Sequence, residues 1–258
     1  MSNLKQVFAK GKAFIPFITA GDPSLDITEK LVHEMTDAGA DLIELGIPFS
    51  DPIAEGPVIQ EADIRALNAG TTTDHIFEMV RRIRTTNQVP IAFMTYINPI
   101  FTYGVERFMK NCQEADVCAI IVPDLPFEER EELQSVCQAH DVTLISMIAP
   151  TSNERIRMIA NDAEGFIYCV SSMGVTGVRK ELGNDVQQMI QLVKEVKDIP
   201  CAIGFGISTP KQAARMAGIS DGVIVGSAIV KMIAEYGKDC VPHVGRYVRE
   251  MKKAIESK

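Results

Sequence analysis

Short apolar runs alternate with amphipathic segments along the whole chain. Eight runs bounded by turn residues are typical of buried strands, and they lie at 13–19, 42–46, 90–95, 119–123, 143–149, 165–170, 200–204 and 222–226. Between them, the segment 185–196 places apolar residues three and four positions apart, which puts one stripe on one face of a helix. A second helix is predicted at 128–140, where the glutamate-rich first turn suits the positive end of a helix dipole.

Eightfold alternation of strand and helix predicts a parallel sheet with crossover helices. Eight such units in 258 residues match the size of a closed (β/α)₈ TIM barrel. We therefore predict an α/β fold in which residues 1–258 form a single barrel domain, with a short extra helix at the N-terminus. A doubly wound open sheet remains the alternative, because alternation does not give the order of the strands.

Composition narrows the class of protein. The chain has 26 basic and 34 acidic residues, and its net charge of −8 argues against a nucleic-acid surface. The N-terminal segment 1–14 lacks the apolar region of a signal peptide, and the chain has no apolar run of 18 residues for a membrane span. We expect a cytoplasmic protein without membrane or nucleic-acid partners.

The positions of the cysteines and lysines limit the kinds of catalytic site that the sequence predicts. The six cysteines include no C-x-x-C pair and no cluster with histidine, so we predict no metal site and interpret them as small buried hydrophobes in a reducing compartment. The predicted strands contain no lysine. This pattern favours acid–base catalysis over Schiff-base catalysis.

An acidic residue interrupts the second apolar run. Glu44 lies within 42–46, and a buried carboxylate is costly unless it is paired or useful. Chemistry in a barrel of this type is found at the carboxyl ends of the strands and in the loops that follow them. The next loop carries two more carboxylates, Asp51 and Glu55. The simpler alternatives are an internal salt bridge for Glu44 and solvated loop charges for the other two.

Three glycine-bearing loops follow the last three predicted strands, at 174–177, 204–208 and 226–227. Glycine lets backbone N–H groups approach an anion, and a helix N-terminus adds favourable partial charge. Tight turns are the simpler explanation of any single loop, but two such loops on adjacent strands 7 and 8 favour a phosphate site. Neither GxxxxGK[ST] nor GxGxxG occurs, so nucleotide binding has no support.

Several longer motifs stand out in the chain: FITAGDP (17–23), ELGIPFSDP (44–52), PDLPFEE (123–129), GFIYCVSSMGVTG (165–177), GFGIS (204–208) and DGVIVGSAIVK (221–231). In this order they resemble one known family, the tryptophan synthase alpha chain. The resemblance implies a (β/α)₈ lyase that cleaves indole-3-glycerol phosphate into indole and glyceraldehyde 3-phosphate. It also implies an α₂β₂ complex with a tryptophan synthase beta chain. Pyridoxal phosphate is then expected in that partner, and no cofactor in this chain.

The resemblance assigns roles to individual positions. The catalytic pair falls on Glu44 and Glu55, although the family has aspartate where this chain reads AEGP at 54–57. Contacts with the beta chain are expected from Asp51 and Asp124, and Thr176 belongs to the GVTG segment that would close over substrate. The positions expected to bind substrate are Phe17, Tyr96, Tyr168, Thr176, Gly177, Phe205, Gly206, Gly226 and Ser227.

The two carboxylates suit different steps of such a reaction. Desolvation should raise the pKa of Glu44 toward neutrality, so that it can protonate indole C3 and also accept the side-chain hydroxyl proton. Glu55 would stabilise the positive charge that grows on the indole nitrogen. Two other functions stay open: a different phosphate-binding barrel lyase or isomerase, or a catalytically weak chain that mainly activates the beta chain.

Overall fold

The computed structural model describes residues 4–170, 182–204 and 206–256. Every predicted apolar run forms a strand, trimmed by up to two residues at an end. The strands are β1 Ala13–Thr19, β2 Ile43–Gly46, β3 Ile91–Met94, β4 Ala119–Ile121, β5 in the two pieces Thr143–Leu144 and Ser146–Ile148, β6 Ile167–Val170, β7 Cys201–Gly204 and β8 Gly222–Val225.

The strands form a closed parallel barrel. β1 pairs with both β2 and β8, and all other strands that are consecutive in the chain lie side by side in the barrel. The two pieces of β5 complete the ring, because the first pairs with β4 and the second with β6. Between the pieces, the Ile145 N–H donates a 2.9 Å hydrogen bond to the Ile120 carbonyl, which keeps the strand in register. The doubly wound alternative is excluded by this strand order.

Alternation along each strand divides the buried side chains into two cores. In β1, Ile15 and Phe17 point into the barrel, whereas Phe14 and Ile18 pack under the surrounding helices. The short helix α1, Leu4–Val7, contributes Leu4 and Val7 to the inner core. The predicted extra N-terminal helix is therefore present.

The outer layer consists of helices that pack on the barrel. They are α2 Leu25–Asp37, α3 Pro57–Asn68, α4 Thr73–Arg84, α5 Ile97–Tyr103, α6 Val105–Glu114, α7 Glu131–Ala139, α8 Asn153–Asp162, α9 Leu182–Val196, α10 Pro210–Ala217, α11 Ser227–Tyr236 and α12 Val241–Glu256, with 3₁₀ turns at Phe127–Glu129 and Gly237–Asp239. The predicted stripe on α9 is buried at Val186, Met189 and Val193. The predicted helix at 128–140 is divided into a 3₁₀ turn and α7.

The loop after β1 is fastened to α3 by a buried ion pair. Asp22 is 1% exposed and accepts two 2.8 Å hydrogen bonds from the guanidinium of Arg65. Such a bidentate pair fixes direction as well as distance. The clamp orients α3 and the loop that leads into it, which carries Glu55.

The six cysteines are all buried and free, as the sequence predicted. Burial raises the pKa of the Cys118 thiol to about 12, so it behaves as a small apolar side chain. Within the described residues, no helix is long and apolar enough to cross a membrane.

Candidate active site at the carboxyl ends of the strands

Two aromatic rings lie across glycines at the carboxyl ends of their neighbouring strands. A Cβ atom at Gly46 would lie 2.6 Å from Cζ of Phe17, and one at Gly204 would lie 2.5 Å from the hydroxyl oxygen of Tyr168. A side chain at either glycine would therefore displace a ring. These glycines make room for an apolar floor inside the mouth of the barrel, formed by Phe17 and Tyr168.

Glu44 projects from β2 into this space. It pairs in register with Phe17 of β1 and is 1% exposed. Leu42, two residues earlier, shares its inward face, but Leu45 packs outward against the helices.

The carboxyl group of Glu44 is unpaired among the residues that the structure describes. Both oxygens are buried, and neither has a hydrogen-bond partner within the described part of the protein. The internal salt bridge considered from the sequence is therefore absent among the described residues. Burial, reinforced by the nearby charge of Glu55, raises the pKa of Glu44 from 4.5 to about 8. At neutral pH Glu44 holds a proton and has no competing partner for it.

Glu55 stands close enough to share this electrostatic environment. Burial raises the pKa of Glu55, while the neighbouring Asp63 partly offsets this shift. Among the described residues, Oε2 of Glu55 is buried without a hydrogen-bond partner. Burial raises the pKa of the Tyr168 phenol, and the charges of Glu44 and Glu55 raise it further. The structure therefore brings Glu44, Glu55 and Tyr168 together.

Asp63 is a site residue that sequence reasoning missed. It lies on α3, is 4% exposed, and burial followed by the charge of Glu55 raises its pKa to about 8. The signal was present in the pattern: Asp63 lies three residues before the buried Ala66 and next to Ala62, on the inward stripe of α3. A carboxylate on the inward-facing stripe of a helix, like one inside a buried strand, is costly unless it is paired or useful.

Tyr96 anchors the loop that carries Glu55. Its hydroxyl accepts a 2.9 Å hydrogen bond from the Ala54 backbone N–H, and its ring contacts Phe49 at a centroid distance of 5.4 Å. Burial also raises the pKa of the Tyr96 phenol, so it stays neutral. Tyr96 holds the loop from the residue just before α5.

A helix N-terminus without a side-chain cap follows β8, the strand on the other side of β1 from β2. Gly226 precedes α11 and Ser227 is its first residue, and no side chain caps this end. A Cβ atom at Gly226 would lie 3.2 Å from Cδ1 of Phe17, which links this end to the apolar floor. Gly206, after β7, has φ of +74°, a conformation suited to glycine. Free N–H groups at such a position attract an anion.

The remaining predicted residues differ in their surroundings. Asp51 is exposed and accepts a hydrogen bond from the Ser50 hydroxyl. Asp124 accepts a 3.0 Å hydrogen bond from the Ile97 backbone N–H, so it caps α5 within the chain. Thr176, Gly177 and Phe205 lie outside the described residues.

Three features of this site bear on its chemistry. A protonated Glu44 lies against the aromatic floor, the charge of a second carboxyl group, Glu55, acts on it, and an anion-attracting helix end follows β8, two strands away around the barrel. In the described ranges, no group of three or more His, Cys, Asp or Glu side chains has a metal-binding arrangement. The fold and the site define a (β/α)₈ barrel with an acid–base centre at the carboxyl ends of its strands.

Comparison with known proteins identifies the family. The sequence profile described as "Tryptophan synthase alpha chain" matches residues 1–256. The tryptophan synthase alpha chain of Lacticaseibacillus casei is 45% identical over 258 residues, which are 100% of this chain and 97% of that protein. The chain therefore belongs to the tryptophan synthase alpha chain family.

Solved structures agree in fold. The tryptophan synthase subunit alpha from Legionella pneumophila superposes with a TM-score of 0.90 at 38% identity, covering 99% of both chains. A chain of the tryptophan synthase α₂β₂ complex from Pyrococcus furiosus gives a TM-score of 0.86 at 35% identity, covering 94% of this chain and 98% of that one.

Proposed function

We propose that this chain, as a single barrel domain, cleaves indole-3-glycerol phosphate into indole and glyceraldehyde 3-phosphate, with Glu44 as the general acid and base. The observation that carries the proposal is the buried carboxyl group of Glu44, which has no hydrogen-bond partner among the described residues and lies in the inner core with Phe17 and Tyr168. Family membership supports the reaction, and the site chemistry supports the roles.

Glu44 moves protons at the reacting carbon. Its raised pKa, about 8, keeps it protonated at neutral pH, so it can donate to indole C3. Protonation makes the ring an electron-poor leaving group. The resulting carboxylate then accepts the side-chain hydroxyl proton as the carbon–carbon bond breaks. One carboxyl group performs both transfers because its pKa lies close to the operating pH.

Glu55 stabilises the charge that this step creates. Protonation at C3 places positive charge on the ring nitrogen, and a carboxylate beside it lowers the energy of that state. The unpartnered Oε2 of Glu55 is the atom available to accept the ring N–H. The aspartate found in the family has one methylene fewer than Glu55, and this chain accommodates the longer side chain beside Asp63.

The phosphate is proposed to bind at the N-terminus of α11. Gly226 and Ser227 would supply backbone N–H groups and a hydroxyl, and the absence of a side-chain cap supports this assignment. Gly206 would contribute from the loop after β7. Thr176, Gly177 and Phe205 remain proposals from the family resemblance. Phe17, Tyr96 and Tyr168 would line the indole end of the pocket.

An apolar surface beside the site supports a partner subunit. Ile53 is 81% exposed on the Glu55 loop and Phe101 is 54% exposed on α5, and they are more exposed than most large apolar side chains of the chain. We propose that the two residues, with Asp51 and Asp124 at the margin, dock a tryptophan synthase beta chain in an α₂β₂ complex in the cytoplasm. Pyridoxal phosphate would belong to that partner, and this chain would need no cofactor.

Indole release from indole-3-glycerol phosphate tests the reaction. We expect turnover by the full-length chain and a loss of about 10²- to 10⁴-fold in kcat for Glu44→Gln, with KM changed less than about fivefold. Glu78→Gln, an exposed glutamate on α4, is the matched control and should keep the original rate. Absence of turnover with and without a beta chain would exclude the reaction, and normal turnover by Glu44→Gln would exclude the role of Glu44.

A further inference from the structure

The wall of the barrel parts between β4 and β5 near the carboxyl ends of these strands. The first piece of β5 pairs with β4 as far as Leu144, and the Ile145 N–H donates the next hydrogen bond to β4, at 2.9 Å. Within the described residues, the second piece of β5, Ser146–Ile148, pairs with β6 and not with β4. A seam therefore opens in the wall beyond Ile145.

A cavity of about 270 Å³ lies at this seam. Its lining comes from both faces of β5, because Ile145 and Met147 belong to the inner core of the barrel, whereas Leu144 packs against the outer core. Phe127 of the 3₁₀ turn and Ile159 of α8 line its outer part. Voids of this size are few in a close-packed protein interior. The cavity reaches from the inner face of β5 to the space beneath α8.

Met147 borders both the cavity and the proposed active site. It is the register partner of Tyr168 on β6, and both side chains pack in the inner core with Phe17. In the ring of eight strands, β5 lies opposite β1, away from the side that holds Glu44, the Glu55 loop and α11. A substrate held on that side by its phosphate and its ring nitrogen directs its benzene ring toward β4 and β5.

The charged groups around the cavity are already paired. Arg155 of α8 donates hydrogen bonds of 2.5 and 3.0 Å to Glu128. Arg130 pairs with Asp162 of α8 at 2.8 Å, and its guanidinium lies 3.9 Å from the ring centroid of Phe127. The two arginines in the lining are thus neutralised by carboxylates, and most of the other lining residues are apolar. An apolar cavity of this kind suits an uncharged apolar group.

The volume of the cavity limits what it can hold. Sites that enclose a whole drug-sized ligand span roughly 300–1,000 Å³. The cavity at the seam is smaller, at about 270 Å³. It therefore suits one part of a ligand whose main body lies in the barrel mouth.

We propose that the cavity at the β4–β5 seam is a side pocket of the active site, which accepts an apolar substituent on the benzene ring of the substrate. The inference rests on the proposed function and adds a class of substrate to it: indole-3-glycerol phosphates that carry a methyl group or a halogen atom on that ring. The reacting atoms are unchanged, because the substituent lies on the benzene ring, away from C3 and the ring nitrogen.

Rates with methylated substrates test whether the pocket is reached. The four analogues carry one methyl group each, on one of the four free carbons of the benzene ring. We expect the unchanged chain to cleave at least one of them with more than about a tenth of the kcat/KM for the unsubstituted substrate. In a site closed around indole, a methyl group would meet packed atoms at every position and cost at least about tenfold. A loss of that size with all four analogues would overturn the proposal, and this comparison requires no variant.

Ser146→Leu fills the pocket from its outer side. Ser146 lines the cavity and lies between the inward residues Ile145 and Met147, so its own side chain is on the outward face of β5. We expect Ser146→Leu to lower kcat/KM for the accepted analogue at least about tenfold, with the unsubstituted substrate within about twofold. Ser135→Leu makes the same change at an exposed position of α7 outside the cavity and should leave both rates unchanged.

The ratio of the two rates separates a pocket from a structural effect. A general disturbance by Ser146→Leu would lower kcat/KM for both substrates by the same factor, and that result, or no change with either substrate, would overturn the proposal. Ser146→Val adds less volume and gives the same test with a smaller ratio if Ser146→Leu does not fold. Failure of the proposed reaction looks different, because the unchanged chain would then release no indole from the unsubstituted substrate.

Discussion

The two ends of the barrel differ in how completely their buried polar groups are paired. At the amino ends of the strands, Asp41 accepts hydrogen bonds from the Phe14 backbone and from Lys252, at 2.7 and 2.8 Å. Asp221 likewise accepts from the Cys201 backbone and pairs with Lys194 at 3.0 Å. These carboxylates fasten one strand to the next and to the outer helices.

At the carboxyl ends, buried polar atoms are left without partners. The described residues contain five such side-chain atoms: Thr19 Oγ1, both carboxyl oxygens of Glu44, Glu55 Oε2 and Thr95 Oγ1. All five belong to strands β1 and β2 or to the segments that follow β2 and β3. Unsatisfied groups cost stability, and their concentration at one end agrees with the proposal that substrate binds there. The paired carboxylates at the amino ends of the strands stabilise the fold, whereas the unpaired buried atoms lie at the carboxyl ends, where the site is proposed.

The strongest test of this contrast is the pH dependence of stability at Glu44. Its pKa is raised from 4.5 to about 8 in the folded chain, so the folded state holds a proton that the unfolded state releases. This stabilisation is complete below pH 4.5 and is lost as pH rises toward 8. Relative to Glu44→Gln, the unchanged chain should lose about 1.4 kcal/mol per pH unit across that window. Denaturant unfolding from pH 5 to 9 measures the difference, and Glu78→Gln should keep the original slope. Parallel curves for the unchanged chain and Glu44→Gln would contradict the raised pKa.

A smaller effect is expected at Asp41, at the amino end of β2, where a substitution removes a stabilising contact. Asp41→Asn removes a charge from a mostly buried ion pair and weakens the bond to the Phe14 N–H. We expect a loss of about 1–3 kcal/mol in the free energy of unfolding. The kcat for indole release should stay within twofold. Urea titration and steady-state rates on one preparation measure both, and a rate loss larger than the stability loss would break the division between the two faces.

The smallest effects are expected from substitutions at two helix N-termini on the carboxyl face. α10 is closed by a capping box between Thr209 and Gln212, whereas α11 has no side-chain cap. Thr209→Ala should cost about 1 kcal/mol of stability and leave KM unchanged, since a satisfied cap only supports its helix. Ser227→Ala should raise KM several-fold with stability within about 0.5 kcal/mol. Thermal unfolding and substrate titration of both variants distinguish them. An equal effect of the two substitutions on KM would remove the proposed phosphate role of α11.

Much of the fold was readable from the sequence because its signals are local. Eight apolar runs with amphipathic segments between them predicted the strands and the barrel, and the position of Glu44 near the end of its strand predicted the active face. Motifs such as ELGIPFSDP carried the family, which the profile match confirmed. The site roles of Glu44, Glu55 and the substrate-binding residues stay predictions.

Other features depended on contacts between distant segments, which no local pattern contains. Asp22 and Arg65, whose two hydrogen bonds fasten the loop after β1 to α3, lie 43 residues apart in the chain. Tyr96 holds the loop that carries Glu55 at Ala54, a residue 42 positions away. The sequence by itself determined which residues are apolar, acidic or glycine, and in what order. Only the tertiary structure decided which carboxyl groups find cations and which remain buried without them, because burial and Coulomb energies depend on distances through space.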